Sequence, residues 1–360
     1  LQGLAGGNPE GVRKAVFELY RENQDPDRRR VLALATARRA AASDAEPVTY
    51  DFVNTWASGV RSDSTDREAA KALYRAVVLD RAWGDFADGN FPDARGRFHE
   101  TTLQTGALEA HEGFVQARLA EGKDDLDTLY SKRFQRDPDD PTPAFVRAFR
   151  IALDLPAGGD PEKVLASLQQ AEEWARQAAK ARLNDWEVHL LRGFLAHARH
   201  MRTGDAQAAV TASSAYTLAL DLARDSPRAR AAILLESGLL HASLGNAAAA
   251  LRLLDERARL PFATPAAEMS LRVARSRCLF LSDRDAEASD EADRALALVE
   301  SRPAMAAHLP PALDRAALHA LVAGRAARAA DLYSRLRPHV EAAASTPFGR
   351  LNLARLDLSS

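Results

Sequence analysis

The sequence predicts an all-α protein, an array of antiparallel helix pairs with no sheet. Three observations predict it. A capping residue followed by proline recurs from Asn8-Pro9 to Thr346-Pro347 as a signal for helix starts. Apolar residues return at three and four, as at Leu73, Val77 and Val78, and no window alternates at two. Turn signals fall near residues 89, 122, 159, 204, 245, 283 and 324, so one two-helix unit is repeated along the chain.

Each element follows from these marks. The first helices are expected at 9–22, 27–42 and 47–58, opened by Asn8-Pro9 for the first. The capping box Thr65-Asp66-Arg67-Glu68 opens 65–88, and 91–104, 107–121 and 124–136 follow by periodicity. Thr142-Pro143 and Asp160-Pro161 open 142–154 and 161–181, and periodicity places 184–203 and 206–224. Ser226-Pro227 opens 227–244, with 247–259 behind it. Thr264-Pro265 opens 265–281, followed by 284–299, 310–323 and 326–343, and Thr346-Pro347 opens 347–357. Most connections are short, so consecutive helices pack antiparallel.

One stretch tests this reading. Residues 234–258, LLESGLLHASLGNAAAALRLLDERA, are rich in alanine and leucine yet contain Gly238 and Gly245. A glycine in a helix interior costs about 0.5–1 kcal/mol relative to alanine. The spacing has counterparts elsewhere. Taking Gly238 and Gly245 as positions 8 and 15 of a unit puts Ala250 at 20 and Leu254 at 24. The same ruler finds Ala317, Gly324, Ala329 and Tyr333 in one unit, and Ala82, Gly89, Ala94 and Phe98 in another. In a third it finds Ser276, Asp283 and Ala288, with Ala295 at 27.

This pattern resembles the tetratricopeptide repeat (TPR), in which small residues at 8 and 20 let two helices approach and glycine at 15 makes their turn. The resemblance covers 65–343 well, with an insertion of about a turn in 184–225, and Asp137-Pro138-Asp139-Asp140-Pro141 resembles a unit boundary. It implies a right-handed superhelical solenoid of about eight helix pairs, in which Gly238 is a packing contact and Gly245 a left-handed turn. Residues 1–64 then form divergent hairpins, 65–343 the repeat array, and 344–360 the first helix of a further unit. Related helical-hairpin solenoids remain open, because the aromatic at position 4 and the Gly-Tyr core of the motif are mostly absent. The chain starts with Leu1 on what reads as a second helix and stops on what reads as a first, so a piece of a longer protein is expected.

Composition narrows the function. The hydrophobic fraction of 46% and charged fraction of 27% are those of a folded soluble chain, and a net charge of −2 offers no overall basic field to nucleic acid. A single cysteine, Cys278, excludes an intramolecular disulfide, and within VARSRCLFL it reads as a small buried apolar residue. No apolar stretch reaches the length of a membrane-spanning helix.

Familiar catalytic signatures fail on spacing. His99-Glu100 and His111-Glu112 would need a histidine four residues after the first, where Leu103 and Val115 stand. No Walker loop or nucleophile elbow occurs. Neither a catalytic residue, a metal site nor a cofactor is expected.

Two candidate surfaces remain. In WEVHLLRGFLAHARHMRTGD, 186–205, a helical wheel gathers His189, Arg192, Arg199 and His200 on one sector, with His197 at its border. The plain reading is a solvated basic face; the functional one is a site for an anion or acidic partner. The tryptophans Trp56, Trp83, Trp174 and Trp186 read first as packing residues. In the family, the groove is lined by the first helix of each unit, at positions near 2, 5, 9, 12 and 13. Carried over, these give Leu79, Trp83 and Phe86; Leu235, Leu239 and Ala242; Val273, Arg277 and Phe280; and Asp314, Leu318 and Leu321. Phe194 faces the groove in either register of its helix. Trp83, Phe86, Phe194, Arg277 and Phe280 are therefore the expected partner-binding residues.

The expectation is a non-catalytic scaffold that binds a peptide or helix of another protein, without nucleic acid and without membrane insertion. The alternative is a sensory or regulatory module of a larger bacterial signalling protein whose catalytic part lies elsewhere. A cytoplasmic location is expected, or a periplasmic one if a leading signal was removed.

Overall fold

A computed structural model describes residues 78–342, except 138, 156–159, 225 and 261–264. The expected helices 9–22, 27–42, 47–58 and 347–357, the start of 65–88, and the turn near 159 lie outside the described residues. All regular structure among the described residues is helical. The chain divides into two compact units, Leu1–Val146 and Arg147–Ser360.

In the first unit α1 occupies 78–87, followed by α2 (Phe91–Thr105), α3 (Leu108–Ala120) and α4 (Leu126–Arg136). The division falls within α5 (Thr142–Asp154). The second unit continues with α6 (Pro161–Ala181), α7 (Trp186–Thr203), α8 (Ala206–Leu222), α9 (Pro227–Ser243) and α10 (Ala247–Ala258). It is completed by α11 (Pro265–Phe280), α12 (Asp285–Glu300), α13 (Leu309–Val322) and α14 (Ala326–Ala342). From α7 to α14 each helix packs on the next, so the core is a row of small clusters rather than one centre.

Local chemistry explains several boundaries. Asp160 accepts a hydrogen bond from the Glu162 N–H, and Ser226 from the Ala229 N–H, each with proline at the first helical position. Thr142 differs from expectation. It lies inside α5, and Asp140 takes the capping role, its Oδ1 accepting the Thr142 N–H at 2.9 Å. A 3₁₀ turn at Pro303–His308, absent from the expected elements, precedes α13.

The turn positions adopt left-handed backbone as the repeat requires. Gly89, Gly122, Gly204, Gly245 and Gly324 have φ between 69° and 82°, and Asp283 adopts 56° without being glycine. Gly106 makes a further left-handed cap, between α2 and α3, that the ruler did not mark.

Positions 8 and 20 are the contacts between paired helices. Ala82, Ala94, Ala250, Ser276, Ala288, Ala317 and Ala329 are all buried. The Ser276 hydroxyl donates to the Ala288 carbonyl at 2.8 Å, a hydrogen bond across the α11–α12 pair that records how closely the backbones approach. Cys278 is buried as expected, and burial pushes its thiol up.

Candidate partner-binding surface

In the first unit the aromatic side chains of α1 belong to a packed cluster. The Trp83 ring meets Phe98 edge-on at 4.9 Å and Phe86 at 5.7 Å, and Phe86 meets Phe91 at 5.3 Å. The Trp83 Nε1–H donates to Glu109 on α3 at 3.3 Å, so this side chain ties α1 to the next hairpin. Phe98 in turn fills the space over Gly113, where an added Cβ would lie 2.2 Å from Phe98 Cε1. Trp83 and Phe86 are thus half-buried, with part of each ring left at the surface.

A second set of polar contacts lies deeper and was not legible as a unit in the sequence. His111 Nδ1 stands 2.8 Å from the Tyr130 hydroxyl, and Arg133 Nη1 donates to His111 Nε2 at 3.4 Å. Because Nε2 accepts, Nδ1 carries the proton and donates to Tyr130. Burial pushes the Tyr130 hydroxyl well above its usual range. Arg133 also pairs with Asp140. Burial opposes charge on Asp140, yet hydrogen bonds from Thr142 and Arg133 hold its carboxyl below the usual range. The network ties α3, α4 and the start of α5 together.

The expected basic face on α7 is rearranged by its neighbours. His189 is buried, its Nε2–H donating to the Leu183 carbonyl at 2.9 Å, and so stands apart from any exposed face. Arg199 pairs with Glu172 on α6 at 3.2 Å and with Asp205 at 3.6 Å. His200 donates from Nδ1 to the Asp205 carbonyl at 3.0 Å. Arg192 and Arg199 do share an open pocket with Arg176, but Glu172 and Asp205 line it too, so its charges are mixed. Phe194 is half-buried on the same helix. His197 accepts burial instead of charge. Burial, with His200 nearby, brings its pKa down to about 4, and its Nε2 lies 3.3 Å from the Ser243 hydroxyl on α9.

On α9, Leu235 and Ala242 are buried and Leu239 partly so, and on α1 Leu79 is fully buried, which leaves these groove positions inside the helix packing. Gly238 lies against α10, where Leu254 occupies the room a side chain would need. Half-buried Glu236 has its carboxyl pushed up to about 7 by burial.

The ends of α11 and α13 are more open. Phe280 meets buried His319 edge-on at 5.2 Å. Arg277 is exposed, and Leu318 and Leu321 are each 43% exposed. The structure therefore brings Arg277 and Phe280 together beside α13. His319 and Arg315 join them, neither placed at a groove position from sequence, and exposed Leu318 stands next to His319 on α13.

No family model matches the sequence, and no curated protein matches it. Among solved structures, one from the APC/C hetero-tetramer Cut9–Hcn1 covers 96% of this chain at 14% identity, with a TM-score of 0.62. This chain spans 60% of that one's length. A tetratricopeptide repeat protein from Parabacteroides merdae covers 79% of this chain and 98% of its own, at 10% identity and a TM-score of 0.40. Yeast Tom70 covers 94% and 65%, at 10% identity and a TM-score of 0.44. At such identities the first of these likenesses speaks for fold alone. Together with the left-handed turns and the small residues at helix contacts, it shows that the chain has the TPR-like helical-hairpin fold.

Proposed function

We propose that this chain is a non-catalytic scaffold that holds a segment of another protein against the first helices of its hairpins. One observation carries the reading. On α11 and α13 the residues facing the paired helices, Ser276, Cys278 and Ala317, are buried, while Arg277, Leu318 and Leu321 stand exposed on the same helices. Arginine and large apolar side chains held on rigid helices are the usual material of a protein interface. The location expected for this role is the cytoplasm.

The test is site-specific photocrosslinking in the native organism. A photoreactive phenylalanine analogue replaces Phe194 or Leu318, and, as a comparison, exposed Leu218 on the second helix α8. Adducts with one discrete protein from positions 194 and 318, and none from 218, are expected. Adducts from 218 alone, or from no position, would overturn the scaffold reading.

A further inference from the structure

The facing ends of α11 and α13 carry more information than an open apolar surface would. The Phe280–His319 contact sets the register between the two helices. Each helix is followed by an antiparallel partner, so α11 and α13 run in the same sense. One turn back from the ring contact stands Arg277 on α11 and Arg315 on α13. Their charges repel across the gap between the helices.

The other arginines nearby have carboxylate partners. Arg272 pairs with Glu268 at 2.5 Å and Arg275 with Asp255 at 3.2 Å, both from α11. Among the described residues, neither Arg277 nor Arg315 reaches a carboxylate at ion-pair distance. Arg315 is half-buried as well. Burial first, and Arg277 second, bring its guanidinium below the usual range, with only neighbouring Asp314 acting the other way. Asp285 at the start of α12 acts on His319 in the same sense. The two guanidiniums are left without an ion-pair partner among the described residues, and an incoming carboxylate would relieve the repulsion between them.

The apolar part lies alongside. Arg315, Leu318 and Val322 follow one another at three and four residues, so they form one stripe on α13. Leu318 and Val322 are each 43% exposed, and Leu281, just past the end of α11, is 49% exposed. From Arg315 to Val322 is about 10 Å along the helix, roughly two turns. A ligand must therefore present carboxylates and an apolar group about two helical turns apart.

We propose, resting on the scaffold reading, that this face binds an acidic amphipathic helix, its carboxylates on Arg277 and Arg315 and its apolar side chains on Leu318 and Val322. A stripe of period three to four on α13 is matched by a stripe of the same period on a partner, which is the spacing of a helix.

The experiment uses the whole chain and fluorescein-labelled 18-residue helical peptides. One carries a Glu pair with Leu two turns away; the others replace Glu by Gln, Glu by Lys, or Leu by Ser. The Glu–Leu peptide is expected to bind at least 10-fold more tightly than the Gln peptide, and the difference should shrink with salt. The variant Arg277→Glu should lose at least 10-fold for the Glu peptide and gain for the Lys peptide. That exchange of preference cannot come from misfolding. Leu318→Ser should weaken the Glu–Leu peptide several-fold without changing the Gln-to-Glu ratio.

Equal binding of the Gln and Glu peptides, no binding of any peptide, or no change in Arg277→Glu would overturn the proposal. So would an oligouridine that binds more tightly than the Glu peptide and is lost in Arg277→Glu, since the site would then serve nucleic acid. Crosslinks from position 318 separate the two levels. If adducts form there while the peptides fail, the acidic-helix assignment falls and the scaffold stands; if none form at 194 or 318, the scaffold reading itself falls.

Discussion

Gly238 and Leu254 share one space, for a Cβ built on Gly238 would lie 2.7 Å from Leu254 Cδ2 and 2.8 Å from Cγ. The same relationship holds between Gly193 and Tyr216, where the distance to Cε1 would be 2.4 Å. In both hairpins the glycine on the first helix seats a large side chain from the second. Packing across the pair thus offsets the low helix propensity of glycine.

Gly238→Ala is expected to destabilise the protein by about 1–3 kcal/mol through overpacking. Leu254→Val in the same chain should recover part of that loss, because the two changes compete for one volume and are not additive. Urea midpoints of the two single variants and the double variant measure this coupling. Simple additivity would show that Leu254 does not fill the place of a Gly238 side chain.

Backbone conformation at the turns gives a second pair. Gly245 has open space around it but φ of 76°, so Gly245→Ala should cost about 1 kcal/mol from left-handed strain alone. Asp283 already bears that strain at 56°, and Asp283→Gly should be neutral to stabilising by up to about 1 kcal/mol. Thermal unfolding checks both signs. A loss of stability in Asp283→Gly would mean that the aspartate side chain contributes more than its backbone costs.

Two titrating groups act in opposite directions. His197 has a folded pKa of about 4 against an ordinary 6.5, so its contribution is complete above about pH 6.5 and is lost as pH falls towards 4. Glu236 has a folded pKa of about 7 against 4.5, so its contribution is complete below about pH 4.5 and is lost as pH rises through 7. His197→Gln should therefore flatten the acid side of the stability profile. Glu236→Gln should raise the melting temperature at pH 8 relative to wild type and leave pH 4.5 nearly unchanged. Denaturation midpoints between pH 4.5 and 8 test the two variants separately.

The expected groove aromatics divide by how they pack. Trp83→Ala removes the contacts to Phe86 and Phe98 and the hydrogen bond to Glu109, and should cost about 2–3 kcal/mol of stability. Arg277→Ala, at an exposed position, should leave the unfolding midpoint within about 0.5 kcal/mol of wild type. Under the scaffold reading it should weaken partner binding at that unchanged midpoint. Calorimetry of each variant with the crosslinked partner distinguishes the two effects.

Whatever depends on neighbours along the chain was legible before any packing was known. Asp160-Pro161 and Ser226-Pro227 start helices because a cap side chain and a fixed φ act within four residues. Gly89, Gly204, Gly245 and Gly324 end first helices because only their own φ is at stake, and small residues at Ala82, Ala288 and Ala317 mark the close contacts. Tertiary structure decided whatever depended on a residue far away in sequence. The α7 wheel grouped His189 with Arg199, yet His189 turns inward to the Leu183 carbonyl and Arg199 is claimed by Glu172, 27 residues earlier. The insertion in this hairpin adds to the difficulty, since Gly193 precedes its turn glycine by eleven residues where Gly238 precedes Gly245 by seven. Arg277 and Arg315 lie 38 residues apart, and only the packing of α11 beside α13 makes them neighbours. Periodicity reports which side of a helix is apolar; which polar side chains are paired is set by the charges that the next helix brings against it.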